Sequence, residues 1–287
     1  MNSNLFKDLW IKMFRSGNPV FLYIGINVLI FVVVAVCKIP FFLAGNADGG
    51  FDLLVREYFG LPASLDKLPL RFYTFFTYQF FHDGLLHLLF NMLWLYWLGQ
   101  IFIDFLKPRQ FHLVYWFGSF AGAILYVLAY NIFPVFERSV GVDTVVGSSA
   151  AVMAVIVATA TLVPDYSIRL LLLGDVKLKY LALAYVVLDL IGISSANAGG
   201  SFAHIGGAVL GFAYIKALKS GHDWSNMFKK KPHLRVVKND APRKSNTTKS
   251  NAPDQKEIDE ILDKISKTGY DKLSREEKEI LFKASKD

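Results

Sequence analysis

Along this chain, long apolar blocks alternate with short polar or charged links. The blocks fall at roughly 19–43, 85–106, 109–132, 148–163, 179–196 and 201–218. Each approaches the ~20 residues a helix needs to cross hydrocarbon, and the fourth is the shortest. The pattern predicts an all-α membrane protein built on a six-helix bundle over residues 19–220. Ahead of it, within residues 1–18, Leu5, Phe6, Leu9, Trp10, Met13 and Phe14 recur at helical spacing with lysines between them. That spacing suits a helix lying in the membrane interface, a frayed terminus being the alternative. Between the first two blocks, the stretch from Arg71 to Phe81 is aromatic but broken by polar groups, and it reads as an interfacial loop rather than another span.

After the last block the pattern changes twice. Residues 221–253 are basic and rich in Ser, Asn, Thr and Lys, as expected of a flexible linker. Within 254–287, Asp254 and Glu257 form a capping-box pattern ahead of Ile258, Ile261, Leu262 and Ile265, and Gly269 closes that helix. Ser274 and Glu277 open a second helix carrying Ile280 and Leu281. Two short helices bury little surface, so this hairpin is expected to dock on the membrane domain or on a cytoplasmic partner.

Composition sharpens the class. At 53% hydrophobic and 15% aromatic residues, with a mean hydropathy of +0.36, the chain is too apolar for a soluble domain of its length. The net charge of +7 concentrates at Lys7, Lys12 and Arg15 before the first block and from Lys216 to Lys249 after the last. Lys107, Arg109, Arg169, Lys177 and Lys179 occupy two of the short links. This distribution places both termini on the cytoplasmic side and matches no nucleic-acid recognition motif. The first block reads as an uncleaved signal anchor. The single cysteine, Cys37, lies in that block, where it is expected simply to pack.

Polar groups inside apolar spans are costly, so they mark candidate working positions. Three constellations stand out: His87 with Asn91, the turn Gly147-Ser148-Ser149-Ala150, and Ala203-His204 followed by Gly207 and Gly211. With the N-terminus inside, spans two, four and six run in the same direction, so these groups fall near the outer ends of their helices. His87 and Asn91, four residues apart, share a helix face. Ser149 starts a helix, where backbone N–H groups lack intrahelical acceptors and the dipole is positive, which outlines an oxyanion hole. The fourth span covers roughly 24 Å at helical rise, so its outer end is expected to be recessed and reachable by water. Ala150, Ala154 and Ala158 on span four, and Ala203, Gly207 and Gly211 on span six, are small residues at a four-residue spacing that permits close helix approach. Such an approach brings His204 toward Ser149 as the base a serine nucleophile requires. Asp189, the remaining intramembrane carboxylate, in span five, reads as orienting the outer end of its own helix, a catalytic part being the alternative.

These residues resemble the rhomboid family of intramembrane serine proteases, in the six-span form found in prokaryotes, over roughly residues 70–215. The family's G-x-S motif is similar to Gly147-Ser148-Ser149, its A-H-x-x-G-x-x-x-G motif to Ala203-His204 through Gly211, and its H-x-x-x-x-H-x-x-x-N motif to His82, His87 and Asn91. The resemblance implies Ser149 as nucleophile and His204 as general base of a dyad without a carboxylate. It implies oxyanion donors from His87, Asn91 and the Ser149 amide, with His82, Gly147, Met153, Gly207 and Gly211 in support. It further implies transmembrane protein substrates cleaved in a lipid bilayer, the bacterial inner membrane as location, and no cofactor or metal. The sequence departs from the pattern at Ala150, where the family usually has Gly, and at Met153, where many members have Tyr and Met supplies an apolar surface instead. The Trp-Arg pair common in the family's first loop is not evident. A proteolytically silent relative that binds membrane clients is the main alternative; an unrelated transporter would show paired interrupted helices or related halves.

Overall fold

A computed structural model describes residues 5–45, 49–170, 174–195, 197–228 and 255–285. In chain order, helix α1 spans Leu5–Phe14, α2 Pro19–Leu43, α3 Gly50–Phe59 and α4 Thr74–Thr77. Helix α5 spans Leu85–Phe105, α6 Pro108–Ile132, α7 Ser149–Leu162, α8 Leu178–Gly192 and α9 Ala198–Lys219. Helices α10 and α11 span Gln255–Thr268 and Arg275–Ala284. Among the described residues there are also four short strands: β1 Leu61–Pro62, β2 Thr144–Val145, β3 Ser167–Leu170 and β4 Gly174–Lys177. β1 pairs antiparallel with β2, and β3 with β4.

Among the described residues, four helices are long and apolar enough to cross a membrane: α2, α5, α6 and α9. The protein is an integral membrane protein. The blocks expected at 148–163 and 179–196 form shorter helices, α7 of 14 residues and α8 of 15. At 1.5 Å per residue these reach only about 21–23 Å against about 30 Å of hydrocarbon. Pro164 follows α7 closely, and the paired strands β3 and β4 lie between the two helices in the chain.

Local chemistry sets the helix boundaries. Asn18 caps α2 by accepting from the Val20 amide at 2.9 Å, with Pro19 in the first turn, where its missing N–H costs nothing. At the start of α6, Gln110 Oε1 accepts from the Lys107 amide at 2.8 Å. Helix α2 meets the bundle only along its first half, where Val20, Tyr23, Gly25 and Asn27 are buried. Its later residues, including Cys37, are exposed, so this cysteine does not pack as expected. The segment between α2 and α5 contains more regular structure than its aromatic pattern predicts. Helix α3 is amphipathic and leads into β1, whose pairing of Leu61 with Val145 ties this first loop to the approach to α7.

Helix α7 is the centre of the bundle. Its residues from Ala150 to Ile156 are all buried, as are Ala158, Thr159 and Ala160, the pattern of a helix surrounded on every side. Neighbouring backbones come close because glycines face it. A Cβ on Gly207 would run into the Ala150 carbonyl, and one on Gly211 into the Ala154 carbonyl. On α6, a Cβ on Gly118 would strike the Ala154 methyl, and one on Gly122 would lie 2.6 Å from the Ala150 methyl. The α7–α9 contact matches the small-residue pattern; the matching contribution of α6 was not read from the sequence.

The start of the segment expected to be a linker is ordered against α6 and α9. Asp223 accepts hydrogen bonds from Arg109 Nη2 at 3.0 Å, Gln110 Nε2 at 3.2 Å and Tyr214 Oη at 3.1 Å. It also accepts from the Ser225 amide at 2.9 Å and hydroxyl at 2.6 Å. The described residues 255–285 belong to a second unit, separate from the membrane domain. Within it, Ile261 and Leu273 are buried, Lys264 Nζ meets Glu277 at 2.7 Å, and Ser274 and Glu277 cap α11 reciprocally. Gly269 follows α10 at φ 84°. Asp254, the expected cap of α10, lies outside the described residues.

The Asp223 cluster makes a testable link to pH. Burial works to raise this carboxyl, but the Ser225 and Tyr214 hydrogen bonds and the Arg109 charge outweigh it and hold it below the usual carboxylate range. A carboxyl held low in the folded state stabilises fully above its unfolded value of about 4, and that contribution is lost as pH falls through the lower folded value. Asp223→Asn should therefore lower the thermal midpoint in detergent at neutral pH and flatten its decline below about pH 4. Parallel curves for the two proteins would show that Asp223 is not the group responsible.

Candidate active site

The nucleophile candidate sits on a turn that only glycine can make. Gly147 has φ 122°, a region that L side chains rarely adopt. Its amide donates to the Tyr78 carbonyl at 2.9 Å, which fastens the turn to the first loop. A Cβ at this position would also lie 2.8 Å from the His87 ring, so space as well as backbone conformation demands glycine. Helix α7 begins at Ser149, and its first internal backbone bond runs from Val152 to Ser148. The amides of Ser149, Ala150 and Ala151 thus precede the intrahelical ladder, with the positive end of the helix dipole beside them.

The two adjacent serines face different ways. Ser148 is fully buried, and its hydroxyl lies 3.3 Å from His82 Nε2. Ser149 is half-buried and lines a cavity of about 460 Å³, together with His87, Asn91, Met153 and His204. The N-terminal ends of α5, α7 and α9 thus deliver their polar groups to one chamber. Met153, Val152 and Ile156 give it an apolar side, and Arg56 and Asp83 stand at its polar margin. Arg56 pairs with Asp83 at 3.2 Å and donates to the Thr144 carbonyl at 3.0 Å, which links α3, the approach to α5 and β2.

The oxyanion candidates are placed but not fully free. Asn91 Nδ2 donates to the His87 carbonyl one turn earlier at 3.0 Å; an amide nitrogen carries two hydrogens, so one remains for a ligand. His87 packs edge-on against His82, with ring centroids 5.0 Å apart. Farther out, Arg71 binds the Glu57 carboxylate and its backbone carbonyl, and that hydrogen bond holds the Glu57 carboxyl below the usual range. This ion pair braces the first loop.

His204 has a partner that differs from the sequence reading. Its Nδ1 lies 2.7 Å from Asp189 Oδ1 on α8. The Asp189 side chain thus reaches from α8 across to α9. Among the described residues no hydrogen bond joins Ser149 to His204, although both line the chamber. Resting sites often hold such pairs loosely and tighten them around substrate.

The departures at Ala150 and Met153 have physical compensations. The Ala150 methyl occupies space left by Gly122 on α6, and the Ala150 carbonyl packs against Gly207 on α9. Met153 is buried and lies on the chamber wall. Residues not foreseen at the chamber include Tyr126 and Tyr130 of α6, Trp94 of α5 and Tyr185 of α8. Tyr185 lies one helical turn before Asp189, and that i, i+4 spacing was the one signal that could have joined it to the site.

The fold and the chamber together define a helical membrane domain with a serine and an imidazole in a shared, partly polar cavity. A model of the Rhomboid domain matches residues 69–220, more than half of the chain, and the protein belongs to the rhomboid family. Residues 243–287 match a family of unknown function, DUF6576. A search of curated proteins found no significant match.

The turn can be probed directly. Gly147→Ala should cost roughly 1–3 kcal/mol from backbone strain and the displaced His87 ring. At Gly141, by contrast, an added methyl meets nothing within 4 Å, so Gly141→Ala should leave the midpoint unchanged. Equal midpoints for both variants on denaturation in detergent would remove the special requirement at 147.

Proposed function

We propose that this protein is an intramembrane serine protease that hydrolyses peptide bonds in or beside transmembrane segments of other membrane proteins. The observation that carries the reading is the shared chamber: Ser149, at the start of α7, and His204, on α9, open onto the same cavity as Asn91 and His87. Ser149 Oγ attacks the scissile carbonyl while His204 Nε2 takes its proton. The same imidazolium then protonates the departing amine, and water, activated by the imidazole, releases the acyl group. Charge developing on the carbonyl oxygen meets the Ser149 amide, the free Asn91 hydrogen and the His87 ring. Family membership supports this chemistry, since rhomboids are typically intramembrane serine proteases.

The reading includes a six-span arrangement in which α7 and α8 count as short spans. Both termini are cytoplasmic, on the strength of the basic flanks, and the chamber opens toward the outer face. Short α7 supports access for water, because a helix of 14 residues leaves part of the bilayer thickness to the cavity above it. The inner membrane of a bacterium is the proposed location, and residues 254–287 are proposed to bind a cytoplasmic partner. A silent client-binding relative is the second reading. It is disfavoured because the serine and histidine are both retained and open onto one cavity.

Ser149→Ala should abolish both cleavage of a model transmembrane substrate and labelling by a fluorophosphonate probe. Ser148→Ala should retain most activity, because its hydroxyl points to His82 rather than into the chamber. Equal loss in the two serine variants would refute the assignment, and wild-type labelling in His204→Ala would argue against the base. Asn91→Ala should lower kcat about ten- to a thousandfold, the order expected on losing one oxyanion donor. An unchanged kcat would take Asn91 out of the site.

A further inference from the structure

The protease reading on which this inference rests uses Ser149 and His204 and leaves one buried acid unexplained. Asp189 Oδ1 lies 2.7 Å from His204 Nδ1, and the Asp189 side chain is only 13% exposed. Its second oxygen, Oδ2, is buried with no hydrogen-bond partner among the described residues. We propose that Asp189 is a positioning residue for the reaction, acting through His204 to complete a Ser149–His204–Asp189 arrangement in place of a bare dyad.

Three physical points support this. A carboxylate accepts hydrogen bonds and donates none, so its contact with Nδ1 requires the proton there and leaves Nε2 as the basic nitrogen. That is the tautomer able to take a proton from a serine hydroxyl. Second, the contact fixes the imidazole plane from α8, a helix other than the one carrying His204, so that the ring cannot swing away from the chamber it lines. Third, a bond that served only to join α8 to α9 would be made more cheaply by a neutral amide or hydroxyl. A half-partnered buried carboxylate carries a desolvation cost, and that cost is offset when its neighbour becomes an imidazolium during the reaction. The proton moves from Ser149 Oγ to His204 Nε2 and later to the leaving amine; the Nδ1 proton stays in its hydrogen bond to Asp189.

No other carboxylate is hydrogen-bonded to His204 among the described residues. Asp83, which also lines the chamber, is paired with Arg56. The role therefore falls to Asp189 and not to the acidic rim.

The test compares the full-length wild type with Asp189→Leu and Asp189→Asn in detergent. It measures kcat and KM on a model transmembrane substrate, the fluorophosphonate labelling rate, thermal midpoint, and the His204 tautomer by 15N imidazole NMR. In Asp189→Leu, kcat should fall about a hundredfold, the order expected for a misplaced catalytic group, with KM unchanged. In Asp189→Asn, the carboxamide can turn its NH2 toward Nδ1 and donate there, which puts the imidazole proton on Nε2, so kcat should fall further, up to about ten-thousandfold. The Nδ1–H tautomer should dominate in the wild type, give way to Nε2–H in Asp189→Asn and become mixed in Asp189→Leu. A folded Asp189→Leu with unchanged kcat, or with lowered kcat but an unchanged tautomer, would overturn the proposal. Should Asp189→Leu fail to fold, an unchanged kcat in Asp189→Asn would overturn it. A wild type that neither cleaves nor labels would sink the protease reading and with it a catalytic role for Asp189, whereas the tautomer comparison would still show whether Asp189 orders His204.

Discussion

The close approach of two helix backbones, α6 and α9, to α7 is the constraint on which the rest of this structure depends. In a membrane, apolar side chains gain little by leaving lipid for protein, so helices associate through tight packing and through hydrogen bonds that lipid cannot offer. Here the packing is nearly at backbone contact. Gly207 and Gly211 of α9 lie against the carbonyls of Ala150 and Ala154, while Gly118 and Gly122 of α6 meet the methyls of the same two alanines. One pair of alanines thus sets the distance to two neighbours. The arrangement also fixes chemistry: Ala150 directly follows Ser149 and Gly207 lies one turn beyond His204, so the contact that packs the helices brings the nucleophile and the imidazole to one chamber.

The first loop depends on this core and in turn holds the site's entrance. Gly147 is bound to the Tyr78 carbonyl, β1 is paired with β2, and Arg56 reaches the Thr144 carbonyl. These are polar bonds between segments distant in sequence, gathered where the chain enters α7. Each uses a backbone group that would otherwise be unsatisfied near the apolar region. The loop is therefore part of the framework of the turn that presents Ser149. Arg71 with Glu57, and Tyr73 donating to the Tyr58 carbonyl, brace it from outside.

Asp223 anchors the opposite end of α6 and α9. By gathering donors from Arg109, Gln110, Tyr214 and Ser225 it fixes the relation of these two helices where α9 ends. Glycine contacts near the chamber and a carboxylate hub at the far end thus hold the same pair of helices at two points along their length.

Patterning along the chain was enough to determine the membrane class, the four long helices, the short central helix and the candidate groups Ser149, His204, His87 and Asn91. These follow from local properties: hydrophobic runs have a length to compare with a bilayer, Gly before Ser signals a turn, and small residues four apart mark one helix face. What the sequence alone left undecided were the relations between faces of different helices. It offered nothing to show that Gly118 and Gly122 of α6 sit opposite Ala154 and Ala150, or that α3 and β1 fold back onto the approach to α7. Asp189 was visible as a costly intramembrane acid, but the rotation of α8 that directs it at His204 depends on packing against neighbours. Only the tertiary structure decides that rotation, because a helix of period 3.6 turns every side chain by about 100° from the last and the sequence does not state which direction faces the bundle.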